Sequence, residues 1–295
     1  MRTMKIVIIW HHIVLEETAR GISDAFTIMG INHECVYNKS KHIKNDDNIY
    51  IIIGIHHFDK LPLNYIIVQT EQPGSNWIKE SLFRKFDKSM GLWEFSPKLD
   101  SEWKYMGYNS HYVPIRIPMD MFVEYGKKDI HFTSVKKDID ILFYGGIHKR
   151  RIEMQKRLKK KFPKKKIVFR YYNLFGEERE GVISRSKVII NMHFWPKSSL
   201  ETHRIEYLMA RGKCVVSENS LDAELDTEYT QAVQFTSYDD MPKTIEKLLQ
   251  NPMKMKEHED SARKLSEKHQ FNMKHVKEAL LGCSKYIKHT SDKCI

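Results

Sequence analysis

Cysteine is scarce in this chain and long apolar runs are absent. Four cysteines, at positions 35, 214, 283 and 294, are scattered over 295 residues. They have neither metal-knuckle spacing nor the density of a disulfide framework, so a reducing, cytoplasmic compartment is expected. No uninterrupted apolar stretch approaches the roughly 20 residues of a membrane-spanning helix. The opening MRTMKIVIIWHH has a short apolar run and no small-residue cleavage site, so it reads as a first strand rather than a signal peptide. Thirteen glycines and nine prolines exclude collagen-like and low-complexity chains. Several motifs are missing as well. Without GxxxxGK, a P-loop nucleotidase is not expected, and without GxGxxG after a strand, neither is an ordinary dinucleotide or methyl-donor site. The lack of HExxH, CxxC and GxSxG argues against metal-centred and serine-nucleophile hydrolases.

What is present suffices for a large folded core, with 41% hydrophobic residues. The formal charge of +11 comes almost wholly from Lys149–Lys166, where eleven Lys and Arg residues face one acid, Glu153. This is one basic patch on a near-neutral chain. Such a patch attracts nucleic acid, a membrane surface or a phosphorylated small molecule. A nucleic-acid-binding protein is therefore the alternative reading. It would want aromatics interleaved with the cations for base stacking, and the patch holds only Phe162. Nucleic acid is accordingly not expected as a partner.

Apolar β-branched runs alternate with helical periodicity twice over. Met4–Trp10, His33–Tyr37, Ile49–Ile55, Tyr65–Thr70, Met90–Phe95 and His111–Ile115 read as strands in the first half. Ile139–Tyr144, Ile167–Tyr171, Val188–Met192, Cys214–Ser217 and Gln231–Thr236 do so in the second. Helices are expected between them, with terminal helices near Met241–Gln250, Lys254–Phe271 and Lys274–His289. The alternation predicts an α/β protein with two doubly wound, parallel-sheet domains facing a cleft. The expected boundaries are 1–118 and 136–295, joined by a connector over about 118–137.

Three constellations carry candidate chemistry. Gly145-Gly146 follows a strand and precedes a helix that opens with Lys149, Arg150 and Arg151. Glycines let a ligand approach the backbone, and a helix N-terminus offers N–H groups to an anion. The second runs from Asn191 through His193, Glu201 and Arg204 to Glu206, at the carboxyl end of a strand, where open parallel sheets bind ligands. Glu201 has two readings here, as a group facing the ligand or as the partner of Ser198 in a capping box. The third is made of His11-His12, His56-His57 and Glu71-Gln72, each leaving the carboxyl end of a strand. These residues are either a metal site or, as the favoured reading, general bases and hydrogen-bonding groups for an acceptor.

Glu201–Glu218 (ETHRIEYLMARGKCVVSE) resembles the glutamate-bearing helix and following strand in the donor-binding half of GT-B glycosyltransferases. DIDILFYGGIHKRR is similar to that family's glycine loop, and VIINMHFW and YIIVQTEQ resemble segments of its small bacterial and large-virus members. The resemblance implies a hexosyl or pentosyl transferase that uses a nucleotide-sugar donor, UDP-linked first and GDP-linked second, a glycan or other hydroxyl acceptor, and no metal or other cofactor. By position, Gly145, Gly146, Arg150 and Arg151 would meet the diphosphate, with His193 and Arg204 beside them. Glu206 would bind ribose, and Tyr172 and Asn173 the base. Ser198 stands where retaining members carry a second glutamate, so the stereochemical course stays open. Glu201 would substitute in a retaining enzyme, whereas an inverting one would take its base from Glu71 or His12.

Overall fold

Strands β1 (Ile6–Trp10) and β3 (Ile49–Ile53) are buried at every position. This is the pattern of parallel strands covered on both faces, which need no polar alternation. The computed structural model describes residues 5–37, 43–44, 46–72, 75–114, 135–270 and 273–287. Most of the connector expected over 118–137 lies outside them. The chain divides into two compact units, one formed by Met1–Arg116 with Phe271–Ile295, the other by Ile117–Gln270.

The first unit holds a six-stranded sheet in the order β2-β1-β3-β4-β5-β6. Its other strands are β2 (His33–Tyr37), β4 (Asn64–Val68), β5 (Gly91–Glu94) and β6 (Ser110–Tyr112). All pairings are parallel, and Ile6 lies opposite both His33 and Ile49. Alternate side chains feed two cores: Ile6, Ile8 and Trp10 on one face, Val7 and Ile9 on the other. Helix α1 (Glu16–Ile28) carries Glu16 and Glu17 in its first turn and lays Ala19, Ile22 and Phe26 on the sheet. Helices α2 (Glu80–Lys88) and α3 (Pro97–Tyr105) follow, the latter capped by Ser96 Oγ on the Leu99 N–H.

The second unit holds five parallel strands in the order β11-β10-β9-β7-β8. They are β7 (Ile139–Gly145), β8 (Ile167–Tyr171), β9 (Ser186–Asn191), β10 (Cys214–Glu218) and β11 (Val233–Thr236). Helix α4 (Lys149–Lys161) buries Arg151, Met154 and Leu158, and α5 (Gly176–Ser184) buries Ile183. In α6 (Thr202–Ala210) every residue except His203 and Arg204 is buried. It stops at Gly212, whose φ of +57° favours glycine and where any Cβ would require the Arg263 side chain to shift. Helices α7 (Ala223–Tyr229), α8 (Met241–Leu249) and α9 (Pro252–Gln270) complete the unit.

All eleven expected strands are present. Two features differ from the expectation. Helix α7 has too short a stripe to show periodicity; its one signal is Asp222, whose side chain accepts from the Leu225 N–H. The terminal helices, expected together in the second domain, divide: α9 packs on α6 and β10, while α10 (Lys274–Ser284) packs Val276, Ala279 and Cys283 into the core of the first unit.

Candidate functional site

Each sheet reverses its strand order once, and ligands in open α/β sheets bind beyond the strand ends at such a point. In the second unit the reversal falls between β7 and β9. The carboxyl ends of these strands carry Gly145-Gly146 and Asn191–His193, two of the constellations read from the sequence.

Gly145 has φ +147°, and a Cβ there would lie 3.1 Å from Arg204 Nη2 and 3.5 Å from Arg151 Nη1. Two guanidiniums therefore press against this backbone. Arg151 is only 3% exposed and donates to Gly146 O (2.9 Å) and Met192 O (2.6 Å), lying between the rings of Phe143 and Phe194. Burial, with the nearby charge of Arg204, brings it down to about 10. Arg204 is half-buried and held by Asn191 Oδ1 at 3.0 Å. Arg150 forks onto Glu218 and donates to His193 O, with its guanidinium over the Tyr238 ring. Helix α4 thus begins with three cations, no acid in its first turn and no side-chain cap on its free N–H groups. That arrangement opposes the helix dipole and is relieved by an anion.

Glu201 precedes α6 but makes no cap, and Ser198 Oγ donates to Trp195 O instead. The capping-box reading is therefore corrected. The helix begins at Thr202, and the Glu201 carboxylate turns inward, taking Asn191 Nδ2 at 2.9 Å and His193 Nδ1 at 3.0 Å. The other ring nitrogen of His193 faces Asn219 O at 3.1 Å. Both nitrogens face acceptors, so the ring is an imidazolium. Burial pushes Glu201 up, but His193, Arg204 and Asn191 outweigh it and hold the carboxyl well below its usual range. Burial likewise opposes the charge on His193, and Glu201 raises it on balance. Among the described residues, three arginines and this imidazolium are set against Glu201, Glu218 and, near His193, Asp226, which leaves the strand ends positive.

Tyr172 and Asn173 lie next to Gly145, whose carbonyl accepts from Tyr172 N at 3.4 Å. Both take left-handed backbone conformations, φ 62° and 51°, which a tyrosine adopts only under constraint. Glu206 is elsewhere. It is 1% exposed, and its Oε1 takes Tyr229 Oη and His269 Nδ1, both at 2.8 Å. The ribose role that the resemblance assigns it is corrected, since no surface is left for a sugar. Sequence reasoning missed Glu218, whose only signal was its place at a strand end, and the loop rings Phe194 and Trp195, which pack on His148.

In the first unit the order reverses between β1 and β3, and the histidine pairs stand there. His11 stacks on His57 (4.7 Å), His57 contacts His56 (4.0 Å), and His56 stacks on Trp77 (4.7 Å), which is 51% exposed. Burial and neighbouring positive groups bring His56 and His57 down to about 4, so these two rings are uncharged at neutral pH. Glu71 Oε1 lies 3.2 Å from His56 Nδ1, off the line of a hydrogen bond, and Oε2 accepts from Ser75 Oγ at 2.6 Å. Burial raises the Glu71 carboxyl on balance. His12 Nδ1 accepts from the Val14 N–H at 3.2 Å. The rings stack rather than converge, and among the described residues no three His, Cys, Asp or Glu side chains are placed to hold a metal ion.

Much of the basic patch is answered within its own unit. Arg150 and Arg151 face inward, Arg157 pairs with Asp239, Lys161 with Glu246 and Lys166 with Asp138. No helix among the described residues is long and apolar enough to cross a membrane.

No protein-family model matches the sequence, and no curated protein matches it. Solved structures do. T4 phage BGT in complex with its UDP-glucose substrate superposes with TM-score 0.56 at 13% identity, over 95% of this chain and 99% of that one. AviGT4, a glycosyltransferase of avilamycin A biosynthesis, gives 0.60 at 11%, over 96% and 98%. TarM gives 0.55 at 11%, over 90% of this chain, which spans 58% of TarM's length. The chain has the GT-B glycosyltransferase fold. At these identities the likeness establishes the two Rossmann-like units, and function must be argued from the side chains.

Proposed function

We propose that the protein transfers a sugar from a nucleoside-diphosphate donor, UDP-linked first and GDP-linked second, to a hydroxyl of a glycan or similar acceptor. The observation that carries this reading is the placement of Arg204 and Arg151 against Gly145, beside the uncapped N-terminus of α4. Sugar transfer builds negative charge on the departing diphosphate. Preorganised guanidiniums and helix N–H groups stabilise that charge as it develops, in the role a metal fills elsewhere. In this reading Arg204 contacts the diphosphate, Arg151 holds the shape of the glycine loop, and the exposed ring of Tyr172 meets the base.

Glu201 is tied to His193 and Asn191, which supports a positioning role: it orients Asn191, and Asn191 orients Arg204. A carboxylate so engaged is a poor nucleophile. The raised carboxyl of Glu71, held by Ser75, is better suited to take the acceptor's proton, which favours inversion. The uncharged rings of His56 and His57, stacked against Trp77, suit the apolar face of a sugar. The test is a panel of UDP- and GDP-sugars, with EDTA or with Mn²⁺, read as release of nucleoside diphosphate. Turnover of at least one donor with EDTA, lost in Arg204→Gln, is expected. No release under either condition refutes the reading.

A further inference from the structure

A cavity of about 380 Å³ opens at the amino end of the second sheet. It is the size of a small-molecule site. Asp140 and Lys187, near the starts of β7 and β9, form one wall, while Gly145 ends β7, five residues from Asp140 and so roughly 17 Å away at about 3.3 Å per residue. It is therefore separate from the arginine site and independent of the glycosyl-transfer reading.

The lining is rich in lysine. Lys137, Lys165, Lys187 and Lys256 face two acids, Asp140 and Glu259. Glu259 is taken by Lys137. Asp140 is taken by Lys187 Nζ at 2.7 Å and by the backbone N–H of Lys166 at 2.9 Å, which leaves Lys165 Nζ at 3.8 Å, beyond hydrogen-bond reach. Lys256 leans on Asp260 in an exposed i, i+4 pair, which is weakly held. Two cations thus remain in excess of the lining carboxylates. The surroundings carry the same sign: burial, and then the charge of Lys137, bring the buried Lys213 amine down to about 8.

The rest of the lining is apolar. Pro252, Met255, Lys256 and Glu259 occupy one face of the first two turns of α9, and Leu249 ends α8 beside them. Ammonium groups are compact point donors without the planar fork that matches a carboxylate, so the set suits a tetrahedral dianion. We infer that this cavity is a second ligand site, taking a phosphate monoester with its phosphate among Lys165, Lys187 and Lys256 and a small organic group against Met255 and Leu249.

The test titrates Arg204→Gln protein, in which the other anion site is weakened, with phenyl phosphate, inorganic phosphate and benzoate. Hydrogen–deuterium exchange over residues 249–260 reports where binding occurs. Saturable binding of phenyl phosphate, weaker binding of inorganic phosphate, and protection confined to this segment are expected. The double variant Lys165→Gln/Lys256→Gln changes only loosely held side chains, so it should keep its melting temperature and bind phenyl phosphate at least tenfold more weakly. The inference is overturned by absence of saturation, by protection elsewhere, by equal affinity in the double variant, or by benzoate binding as tightly as phenyl phosphate.

Discussion

His193 and Glu201 form an ion pair in the interior of the second unit, Nδ1 standing 3.0 Å from Oε2, with the imidazole fully buried. The pair joins the end of β9 to the start of α6, and through Asn191 it reaches Arg204. One carboxylate therefore sets the positions of the histidine and, by way of the asparagine, of the arginine nearest the glycine loop.

Replacing Glu201 by Gln should destabilise the protein by about 3 kcal/mol, the scale for breaking a buried pair. His193 is raised from 6.5, so its contribution is complete below pH 6.5 and fades as pH rises through the folded value. Glu201 is lowered from 4.5, so its contribution is complete above pH 4.5 and fades in acid. The gap in melting temperature between wild type and Glu201→Gln should be widest between these values and narrow on both sides. Melting curves at pH 3.5, 5.5 and 8.5 check this, and a gap independent of pH contradicts it.

Arg151 and Arg204 should separate in their effects. Arg151→Gln leaves the carbonyls of Gly146 and Met192 without a guanidinium, and a loss of roughly 1–3 kcal/mol is expected. Arg204→Gln removes a half-buried group with one described hydrogen bond, to Asn191 Oδ1, and a ring contact with Tyr144; it should cost less stability than Arg151→Gln and act mainly on ligand affinity. Chemical denaturation of both variants distinguishes them.

Gly145→Ala combines an unfavourable φ with a Cβ 3.1 Å from Arg204 Nη2 and 3.3 Å from Phe143 Cζ. A loss of about 1–3 kcal/mol is expected, together with weaker binding of nucleoside diphosphates. An alanine variant of wild-type stability and affinity would show that the close approach of Arg204 is not needed.

Glu206→Gln should lower stability by roughly 1–3 kcal/mol, through its bonds to Tyr229 and His269, with nucleoside diphosphate affinity unchanged. Calorimetry on the folded variant would expose a ribose role as a selective loss of affinity.

The strands and their carboxyl ends were legible because buried parallel strands leave continuous β-branched runs, and Gly145-Gly146 and His56-His57 punctuate their ends; the strand orders, and so the reversal points, came from the structure. Glu201 and Glu206 were not. Ser198 and Glu201 have capping-box spacing, but His193, eight residues before Glu201, competes for the carboxylate and wins it. The partners of Glu206 lie 23 and 63 residues away, a relation that helical periodicity does not carry. Nor does periodicity say which sheet an amphipathic helix covers, and so the unit on which α10 packs could not be read from it.

The central claim is that Arg204 and the glycine loop hold a diphosphate. Isothermal titration calorimetry of UDP, GDP, uridine and guanosine against wild type and Arg204→Gln, with EDTA throughout and again with Mn²⁺, tests it most directly. The account predicts that one diphosphate binds with EDTA present, that its nucleoside binds far more weakly, and that Arg204→Gln loses at least tenfold for the diphosphate and little for the nucleoside. Equal affinity of wild type and variant for the diphosphate, or no diphosphate binding in either condition, would contradict it.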